Sequence, residues 1–336
     1  MRKVQLLCLV LAFSLVCKIA RATPYSAILI DADTKEILYE KDSSIRQYPA
    51  SLTKMMTMYV AFDEIKKRRL KFSDIAIISR KASRQPQLII GLRVGTKIKV
   101  RDLIESMIVR SANDSSVALA EKIAGSEQKF VTMMNRKAYE LGMYSTRFAN
   151  AAGLHNSNQY TTAQDMARLS ISLWKNHAEF FHMFSIKKFQ FKNKVYKSHN
   201  YVLMDYPGAR GIKTGYVRAS GYNISSFATR DGHNILAVTM HVGQRKVRDD
   251  FTMNLLDYGF KKAKYLDGLQ GGKKKRDTKR KKGIDQVVTF DNQAVQTPEQ
   301  NVKQADEISD IIMKSSINGG DGNKEDGTAA TEEVVE

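Results

Sequence analysis

Cysteine is nearly absent from this chain. Only two of its 336 residues are cysteines, Cys8 and Cys17, and both lie within the first 22 residues. Without that segment the chain has no thiol, which excludes disulfide bonds, thiol catalysis and thiolate metal sites. The six histidines show no metal-ligand spacing, and no glycine-rich phosphate loop occurs. We therefore expect neither a metal nor a cofactor.

The N-terminus lacks an apolar run long enough to favour a stable membrane span. Residues 1–22 combine Arg2-Lys3, an apolar core from Leu6 to Val16, and the small-x-small sequence Ala20-Arg21-Ala22. This pattern is typical of a secretory signal peptide, with Thr23 as the first mature residue. An uncleaved anchor is the alternative. We expect an exported protein, located in a bacterial periplasm or peripherally at the inner membrane.

The formal charge of +19 is unevenly distributed along the chain. Lysine and arginine dominate residues 23–264, whereas acidic residues dominate after residue 283. A basic exported domain favours anionic surroundings such as cell-wall polymer, acidic lipid headgroups or nucleic acid. Between the two parts lies the basic segment Lys273–Lys282, which either contacts anionic lipid or wall polymer or is a solvated linker.

We predict three parts from this composition. Residues 1–22 form the signal peptide, residues 23–264 a globular unit, and residues 265–336 a basic linker with an acidic tail. The glycine-, asparagine- and acid-rich tail is more typical of disorder than of a packed domain.

Apolar periodicity predicts a hairpin followed by helices and then by further strands. The predicted elements are a strand at 26–31 with its partner at 36–39, helices from Ser51, at 101–109, 116–123, 127–141 and 162–174, strands at 222–228 and 234–242, and a last helix at 244–260. Basic and aromatic residues interleave at 187–197. This pattern favours an exposed strand over a nucleic-acid stacking surface, and we expect no nucleic acid.

The first candidate for chemistry is P-A-S-L-T-K, residues 49–54. Ser51 and Lys54 are three residues apart in a predicted helix, so the Lys54 amine can reach the Ser51 hydroxyl. A serine becomes a good nucleophile when a base takes its proton, and a buried lysine with a lowered pKa can do this. The alternative is that Ser51 caps the helix and Lys54 is solvated. Ser-x-x-Lys also occurs at Ser172 and Ser185.

Two further triplets supply partners that such a serine needs. Ser111-Ala112-Asn113 is predicted in a short link between helices, where Ser111 could relay a proton and Asn113 could bind substrate. Lys213 and Thr214, predicted on a strand beside the cleft, offer a cation and a hydroxyl, and Gly215 allows close backbone approach. Helix capping and an ordinary edge strand are the simpler alternatives for each triplet alone.

The order and spacing of the three motifs resemble the penicilloyl serine transferases. Within that group the chain is similar to the D-alanyl-D-alanine carboxypeptidases, the low-molecular-weight penicillin-binding proteins. The supporting stretches are P-A-S-L-T-K, R-S-A-N-D-S-S-V-A-L-A-E-K-I-A-G-S, M-N-R-K-A-Y-E-L-G-M, F-A-N-A-A-G-L and G-I-K-T-G-Y. The resemblance covers residues 25–260. It implies an α/β (α+β) fold of the β-lactamase/transpeptidase type, with an antiparallel sheet flanked by helices plus an all-helical subdomain.

The resemblance also implies a reaction and its residues. Ser51 would attack the peptide bond between two terminal D-alanines of a peptidoglycan stem peptide, and Lys54 would accept its proton. Ser111 or Lys54 would protonate the leaving D-alanine. Backbone N–H groups of Ser51 and Tyr216 would hold the oxyanion. β-Lactams would stall as acyl-enzymes.

Substrate recognition is implied in the same way. Asn113 would bind the donor peptide, and Lys213, Thr214 and Arg248 would bind the free carboxylate, which favours a carboxypeptidase over a DD-endopeptidase. The chain lacks the E-x-x-L-N string of a class A β-lactamase. A non-catalytic basic wall-binding protein is the other alternative.

The chain departs from the family pattern in two features. Neither a second, β-rich domain nor a C-terminal amphipathic anchor is recognisable in the sequence. Membrane attachment is therefore the least supported expectation.

Overall fold

The computed structural model describes residues 25–269, with side chains described as far as residue 266. Its strands are β1 (Ser26–Asp31), β2 (Ile37–Lys41), β3 (Ile75–Ile77), β4 (Lys97–Lys99), β5 (Lys188–Phe191), β6 (Lys194–Lys197), β7 (Ala209–Val217), β8 (Gly221–Arg230) and β9 (His233–Val242). Its α-helices are α1 (Thr53–Lys66), α2 (Arg80–Ser83), α3 (Val100–Val109), α4 (Asn113–Ala124), α5 (Glu127–Glu140), α6 (Ala163–Asn176), α7 (Ala178–Phe181), α8 (Tyr201–Asp205) and α9 (Arg245–Leu269). Short 3-10 turns occur at Ala50–Leu52 and His182–Ser185.

A five-stranded antiparallel sheet forms the centre, in the order β2-β1-β9-β8-β7. Successive side chains of a strand point to opposite faces. In β1, Ala27 and Leu29 pack in a cluster with α9, whereas Ile28 and Ile30 pack in the larger cluster on the other face. Both faces of the sheet are therefore covered, which is why this strand is apolar along its length.

Helix α1 lies inside the larger cluster and is buried on every side as far as Phe62. The sequence predicted an apolar face on this helix. The structure also buries its polar residues there: Thr57 donates a hydrogen bond to the carbonyl oxygen of Ala151 at 2.8 Å, and Lys54 is fully buried. Buried polar groups of this kind need partners inside the protein. Helices α4, α5 and α6 pack against α1, and α4 and the loop at residues 151–152 supply partners for these groups.

The predicted fold class is confirmed, and the predicted strands and helices are present with shifted ends. Helix α4 begins at Asn113 rather than at Ser116, so the prediction that Asn113 lies in an inter-helix link was wrong. The backbone N–H of Asn113 donates to the carbonyl oxygen of Leu88 at 2.7 Å. Asp114 stabilises the first turn of the helix, because a negative charge is favourable at a helix N-terminus. Helix α9 continues to Leu269, beyond the predicted end at Phe260.

The domain boundaries at residues 22 and 264 stay predictions. The expected signal peptide, the basic segment Lys273–Lys282 and the acidic tail lie outside the described residues. Within residues 25–269, no helix is both long enough and apolar enough to cross a membrane.

Candidate active site

Ser51 lies in the 3-10 turn that leads into α1, and three distant parts of the chain hold this turn in place. Gly215 of β7 passes so close that a Cβ atom there would lie 2.9 Å from the backbone nitrogen of Ser51. On another side, a Cβ atom on Gly153 would overlap the carbonyl oxygen of Ala50 at 1.9 Å. Only glycine fits either position.

The third support is Asn223 on β8. Its side-chain amide donates to the carbonyl oxygens of Tyr48 and Pro49, at 3.0 and 3.2 Å, and accepts from the backbone N–H of His241 at 2.9 Å. Asn223 is fully buried. The turn carrying Ser51 is therefore fixed to the central sheet.

The Lys54 amine contacts the Ser51 hydroxyl as predicted from their spacing. Lys54 Nζ lies 2.9 Å from Ser51 Oγ, 2.8 Å from Asn113 Oδ1 and 2.6 Å from the carbonyl oxygen of Ala152. Burial lowers the pKa of Lys54 well below that of an ordinary lysine, and the positive charge of Lys213 lowers it further. A lysine that readily gives up its proton can act as a base toward the serine in contact with it.

Asn113 joins this cluster from the first turn of α4. Its side-chain oxygen accepts from Lys54, and its amide nitrogen donates to the carbonyl oxygen of Pro86 at 2.9 Å. Both ends of the amide are thus engaged within the protein. The amide nitrogen has two N–H groups, so Asn113 can donate to a bound substrate and keep the hydrogen bond to Pro86.

Ser111 precedes α4 in a left-handed backbone conformation, with φ of 59°. Its hydroxyl oxygen is buried and has no hydrogen-bond partner among the described residues. Buried hydroxyls without a partner are uncommon, and left-handed backbone at a non-glycine residue is strained. This combination is typical of a residue whose position serves a ligand.

The carboxylate of Asp114, in the first turn of α4, holds the backbone of residues 90–92. It accepts hydrogen bonds from the backbone N–H groups of Ile90, Gly91 and Leu92 at 3.0 to 3.3 Å, and from Ser115 at 2.9 Å. Burial raises the pKa of Asp114, and these N–H groups act in the opposite direction. Its negative charge also opposes the lowering of the Lys54 pKa.

Lys213 and Thr214 lie on β7 and are almost completely buried. Lys213 Nζ donates to the carbonyl oxygen of Thr214 at 2.9 Å. Burial and the charge of Arg248 lower the pKa of Lys213 to about 7. The guanidinium of Arg248 is itself buried and donates to Asp249 Oδ1 through Nε at 3.0 Å and to the carbonyl oxygen of Asn223 at 3.2 Å. The two cations form a positive region at the edge of the sheet.

One other segment of the chain lines the edge of this positive region. A recess beside Lys213 and Thr214 also contains His199. Partial desolvation and the nearby cations, Lys213 first among them, lower the pKa of His199 to about 3. Tyr216, by contrast, is about half exposed, with an exposed fraction of 52%, and its ring stacks on Tyr222 with centroids 4.3 Å apart.

Direct contacts therefore join Ser51, Lys54, Asn113 and Gly215, and electrostatic coupling links Lys213 to Lys54 and to Arg248. Sequence reasoning did not single out Asp114, Gly153, His199 or Asn223. Gly153 was quoted within F-A-N-A-A-G-L without a role. Asp114 and Asn223 bind segments that lie more than twenty residues away in sequence, and His199 lies fourteen residues before Lys213, so no local pattern identifies them.

This arrangement defines a class of site. A serine hydroxyl contacts a buried lysine of lowered pKa, and a second serine hydroxyl, without a partner among residues 25–269, lies just before α4. One buried cation lies on the adjoining strand β7 and another at the start of α9. Such a site suits acyl transfer from an anionic substrate through a serine ester.

Comparison with known proteins agrees with this class. The family profile described as D-alanyl-D-alanine carboxypeptidase matches residues 18–244. D-alanyl-D-alanine carboxypeptidase DacF of Bacillus subtilis is 31% identical over 330 residues, covering 92% of this chain and 84% of that protein. DacD of Escherichia coli is 34% identical over 256 residues, covering 74% of this chain and 66% of that protein.

Two solved structures extend the likeness to the fold. Penicillin-binding protein 5 of Haemophilus influenzae has a TM-score of 0.67 at 33% identity, covering 70% of each chain. Penicillin-binding protein D2 of Listeria monocytogenes, solved in its ampicillin-bound form, has a TM-score of 0.64 at 26% identity, covering 70% of this chain and 96% of that one. This chain belongs to the D-alanyl-D-alanine carboxypeptidase family of serine peptidases.

Proposed function

We propose that this chain removes the terminal D-alanine from peptidoglycan stem pentapeptides, as a serine-type D-Ala-D-Ala carboxypeptidase with Ser51 as its nucleophile. One observation carries the proposal: Lys54 Nζ lies 2.9 Å from Ser51 Oγ in a buried environment that lowers the pKa of the amine. A neutral Lys54 can accept the hydroxyl proton as the serine attacks.

In acylation, Ser51 Oγ bonds to the carbonyl carbon of the penultimate D-alanine, and its proton passes to Lys54. The peptide C–N bond then breaks, and the leaving amine of D-alanine takes a proton through Ser111 or Lys54. Water attacks the resulting ester and releases the shortened peptide. Backbone N–H groups of Ser51 and Tyr216 would stabilise the oxyanion in both steps. The close passage of Gly215 against Ser51 supports this role for the backbone after Gly215.

The terminal carboxylate would bind at the positive region formed by Lys213 and Arg248, with the Thr214 hydroxyl as a further donor. In its cationic form Lys213 attracts an anion strongly because little water screens it, and the buried Arg248 adds to this attraction although Asp249 pairs with it. A peptide that ends in a free carboxylate is therefore favoured over an internal cross-link, which supports the carboxypeptidase assignment over a DD-endopeptidase.

β-Lactams would acylate the same serine. Opening of the lactam ring leaves the amine attached to the acyl group, so no fragment departs and the ester persists. The ampicillin-bound and cefotaxime-bound forms of the Listeria protein support this proposal by similarity.

The test is the intact mass of the protein after incubation with penicillin. We expect one penicilloyl adduct on the wild type and none on Ser51→Ala. Ser172→Ala is a matched control, because Ser172 also stands in a Ser-x-x-Lys sequence but lies buried in α6. The control should acylate like the wild type. An unmodified wild type, or an adduct that survives in Ser51→Ala, contradicts the proposal.

Released D-alanine then separates the remaining alternatives. Release from a pentapeptide, with dimeric cross-linked muropeptides left intact, supports the carboxypeptidase. Cleavage of the dimers favours the endopeptidase. Peptidoglycan binding by Ser51→Ala without any acylation of the wild type favours a non-catalytic wall-binding protein.

Export to a periplasm is part of the same proposal, because the substrate is extracellular polymer. It rests on the signal-peptide pattern of residues 1–22. N-terminal sequencing of the mature protein should begin at Thr23. A mature protein that retains Met1 contradicts cleavage. The same export would bring the basic segment Lys273–Lys282 close to anionic membrane or wall polymer.

A further inference from the structure

Strands β5 and β6 form a separate two-stranded sheet, the lysine hairpin (residues 188–197), whose aromatic residues are explained by packing. Phe189 is buried in the larger core cluster, and Tyr196 stacks on it with ring centroids 6.2 Å apart. These aromatic rings face inward. Packing therefore explains the aromatic residues of the hairpin but not its lysines.

The lysines of this hairpin are exposed, with Lys188 and Lys197 on the face away from the aromatic rings and Lys194 on the same face as Phe191. Lys188 and Lys197 lie directly opposite each other across the two strands, and Lys192 and Lys194 lie at or next to the turn. Within residues 25–269, none of these four lysines forms a salt bridge. Like charges directly opposite in an antiparallel pair destabilise it. Lysines can protect edge strands from pairing with other chains, and an anionic partner would in addition relieve the repulsion between Lys188 and Lys197.

The hairpin adjoins the active site. The ring of Tyr196 lies 5.8 Å from the guanidinium carbon of Arg110, the residue before Ser111. Two residues beyond the hairpin, His199 lines the recess that also contains Lys213. The lysine hairpin is therefore continuous with a segment that packs beside Lys213 and Thr214.

The hairpin extends away from the recess. A strand rises about 3.3 Å per residue, so Lys194 is roughly 13 Å along the chain from Ser198 at the recess. Peptidoglycan carries carboxylates on its stem peptides, and exposed lysines such as the Lys188–Lys197 pair raise the local concentration of such an anion.

We propose that the lysine hairpin is an accessory binding surface for anionic peptidoglycan strands, which holds the polymer while one stem peptide occupies the active site. The inference rests on the proposed function and extends it from the terminal dipeptide to the polymer. Acidic lipid is a competing partner for any lysine patch. Peptidoglycan is favoured because the hairpin leads directly into the recess beside Lys213.

The test compares two double variants of the full chain, both of which retain the basic segment Lys273–Lys282. Lys188→Gln/Lys197→Gln removes the cross-strand pair of the hairpin. Lys261→Gln/Lys264→Gln removes two exposed lysines from α9. This helix packs on the face of the central sheet away from the larger core cluster, in which the hairpin residue Phe189 is buried. Because the hairpin variant removes repulsion, its Tm should equal or exceed that of the wild type.

At low salt, we expect the hairpin variant to lose about 3- to 10-fold in kcat/KM on insoluble peptidoglycan, as expected for weakened charge steering. The loss should shrink in about 1 M salt, where the Debye length falls to about 3 Å. Hydrolysis of a short D-Ala-D-Ala peptide and acylation by penicillin should not change. The α9 variant should match the wild type on all three substrates.

Other outcomes overturn the proposal. An equal loss in the α9 variant would show a net-charge effect, and a loss on the short peptide would show damage to the active site. Unchanged activity on peptidoglycan also contradicts it. Co-sedimentation with peptidoglycan and with vesicles of anionic phospholipid completes the test. Weakened binding to vesicles alone would assign the surface to lipid. Failure of the wild type on the short peptide would instead reject the proposed function.

Discussion

Replacing Gly215 by alanine should separate the nucleophile from the strand beside it. A Cβ atom there would lie 2.9 Å from the backbone nitrogen of Ser51 and 3.1 Å from both the nitrogen of Leu52 and the carbonyl oxygen of Pro49. Ordinary van der Waals contact begins near 3.4 Å. The strand and the turn must therefore move apart by about 0.5 Å, because all three contacts are with backbone atoms.

The size of the effect follows from this displacement. A misplacement of about 1 Å in a catalytic group can cost about 10²-fold in rate, so a shift of half that size should slow acylation by about tenfold. Overpacking a well-packed site costs about 1 to 3 kcal/mol of stability. For a folded unit of this size, each kcal/mol lowers Tm by about 2 to 4 °C.

The assay is the second-order rate constant for acylation by a fluorescent penicillin, measured together with Tm. Gly243→Ala is the control, because a Cβ atom there meets nothing within 4 Å. It should acylate at the wild-type rate. If Gly215→Ala does so too, after correction for its folded fraction, the backbone contact does not fix the nucleophile and the reasoning is wrong.

Two further predictions concern the charged groups of the site. Lys213 has a pKa of about 7, so its cationic form is present below that pH and is lost above it. The kcat/KM of a peptide with a free C-terminal carboxylate should fall as pH rises through this pKa, and Lys213→Arg, which stays protonated, should lack this alkaline limb. Asp114→Asn replaces a carboxylate oxygen, an acceptor for the N–H groups of residues 90–92, with a donor. We expect a loss of about 3 kcal/mol in the free energy of unfolding and faster amide exchange at 90–92, since hydrogen bonds to charged groups contribute about 1.5 to 3 kcal/mol each.

Controls exist for both. If the alkaline limb of the pH profile persists unchanged in Lys213→Arg, a group other than Lys213 causes it. Asp205→Asn, at an exposed aspartate in α8, should leave the free energy of unfolding and the exchange at residues 90–92 unchanged. A wild-type exchange pattern in Asp114→Asn would mean that the carboxylate does not hold this segment.

Local periodicity predicted most of the fold because the relevant forces are local. Strand β1 and its hairpin partner follow from an apolar run and a turn, and the capping of α6 by Thr162 follows from a side chain three residues from Asp165. The start of α4 was missed because Ser111 to Asp114 contains several residues that can each cap a helix. The bond from Asn113 to Leu88, which lies far away in sequence, decides between them.

The contacts of the candidate site also divide into those that local sequence predicts and those that it does not. The contact between Lys54 and Ser51 was predictable because one helical turn separates them. The supports of the Ser51 turn were not, because Gly153 and Asn223 reach it from more than a hundred residues away. The burial that lowers the pKa of Lys54 depends on the whole helical region around α1. Sequence therefore predicted the contact between Lys54 and Ser51, and the structure added the groups that position this pair.

The turn around Ser51 also has a consequence for biosynthesis. Its supports come from Gly153, Gly215 and Asn223, which are made long after the serine itself. A growing chain that ends before residue 223 contains the nucleophile but lacks the groups that orient it. We expect covalent labelling by penicillin to begin only once the sheet has closed on this turn. The amount of penicillin label would thus measure the number of folded molecules rather than the number of chains synthesised.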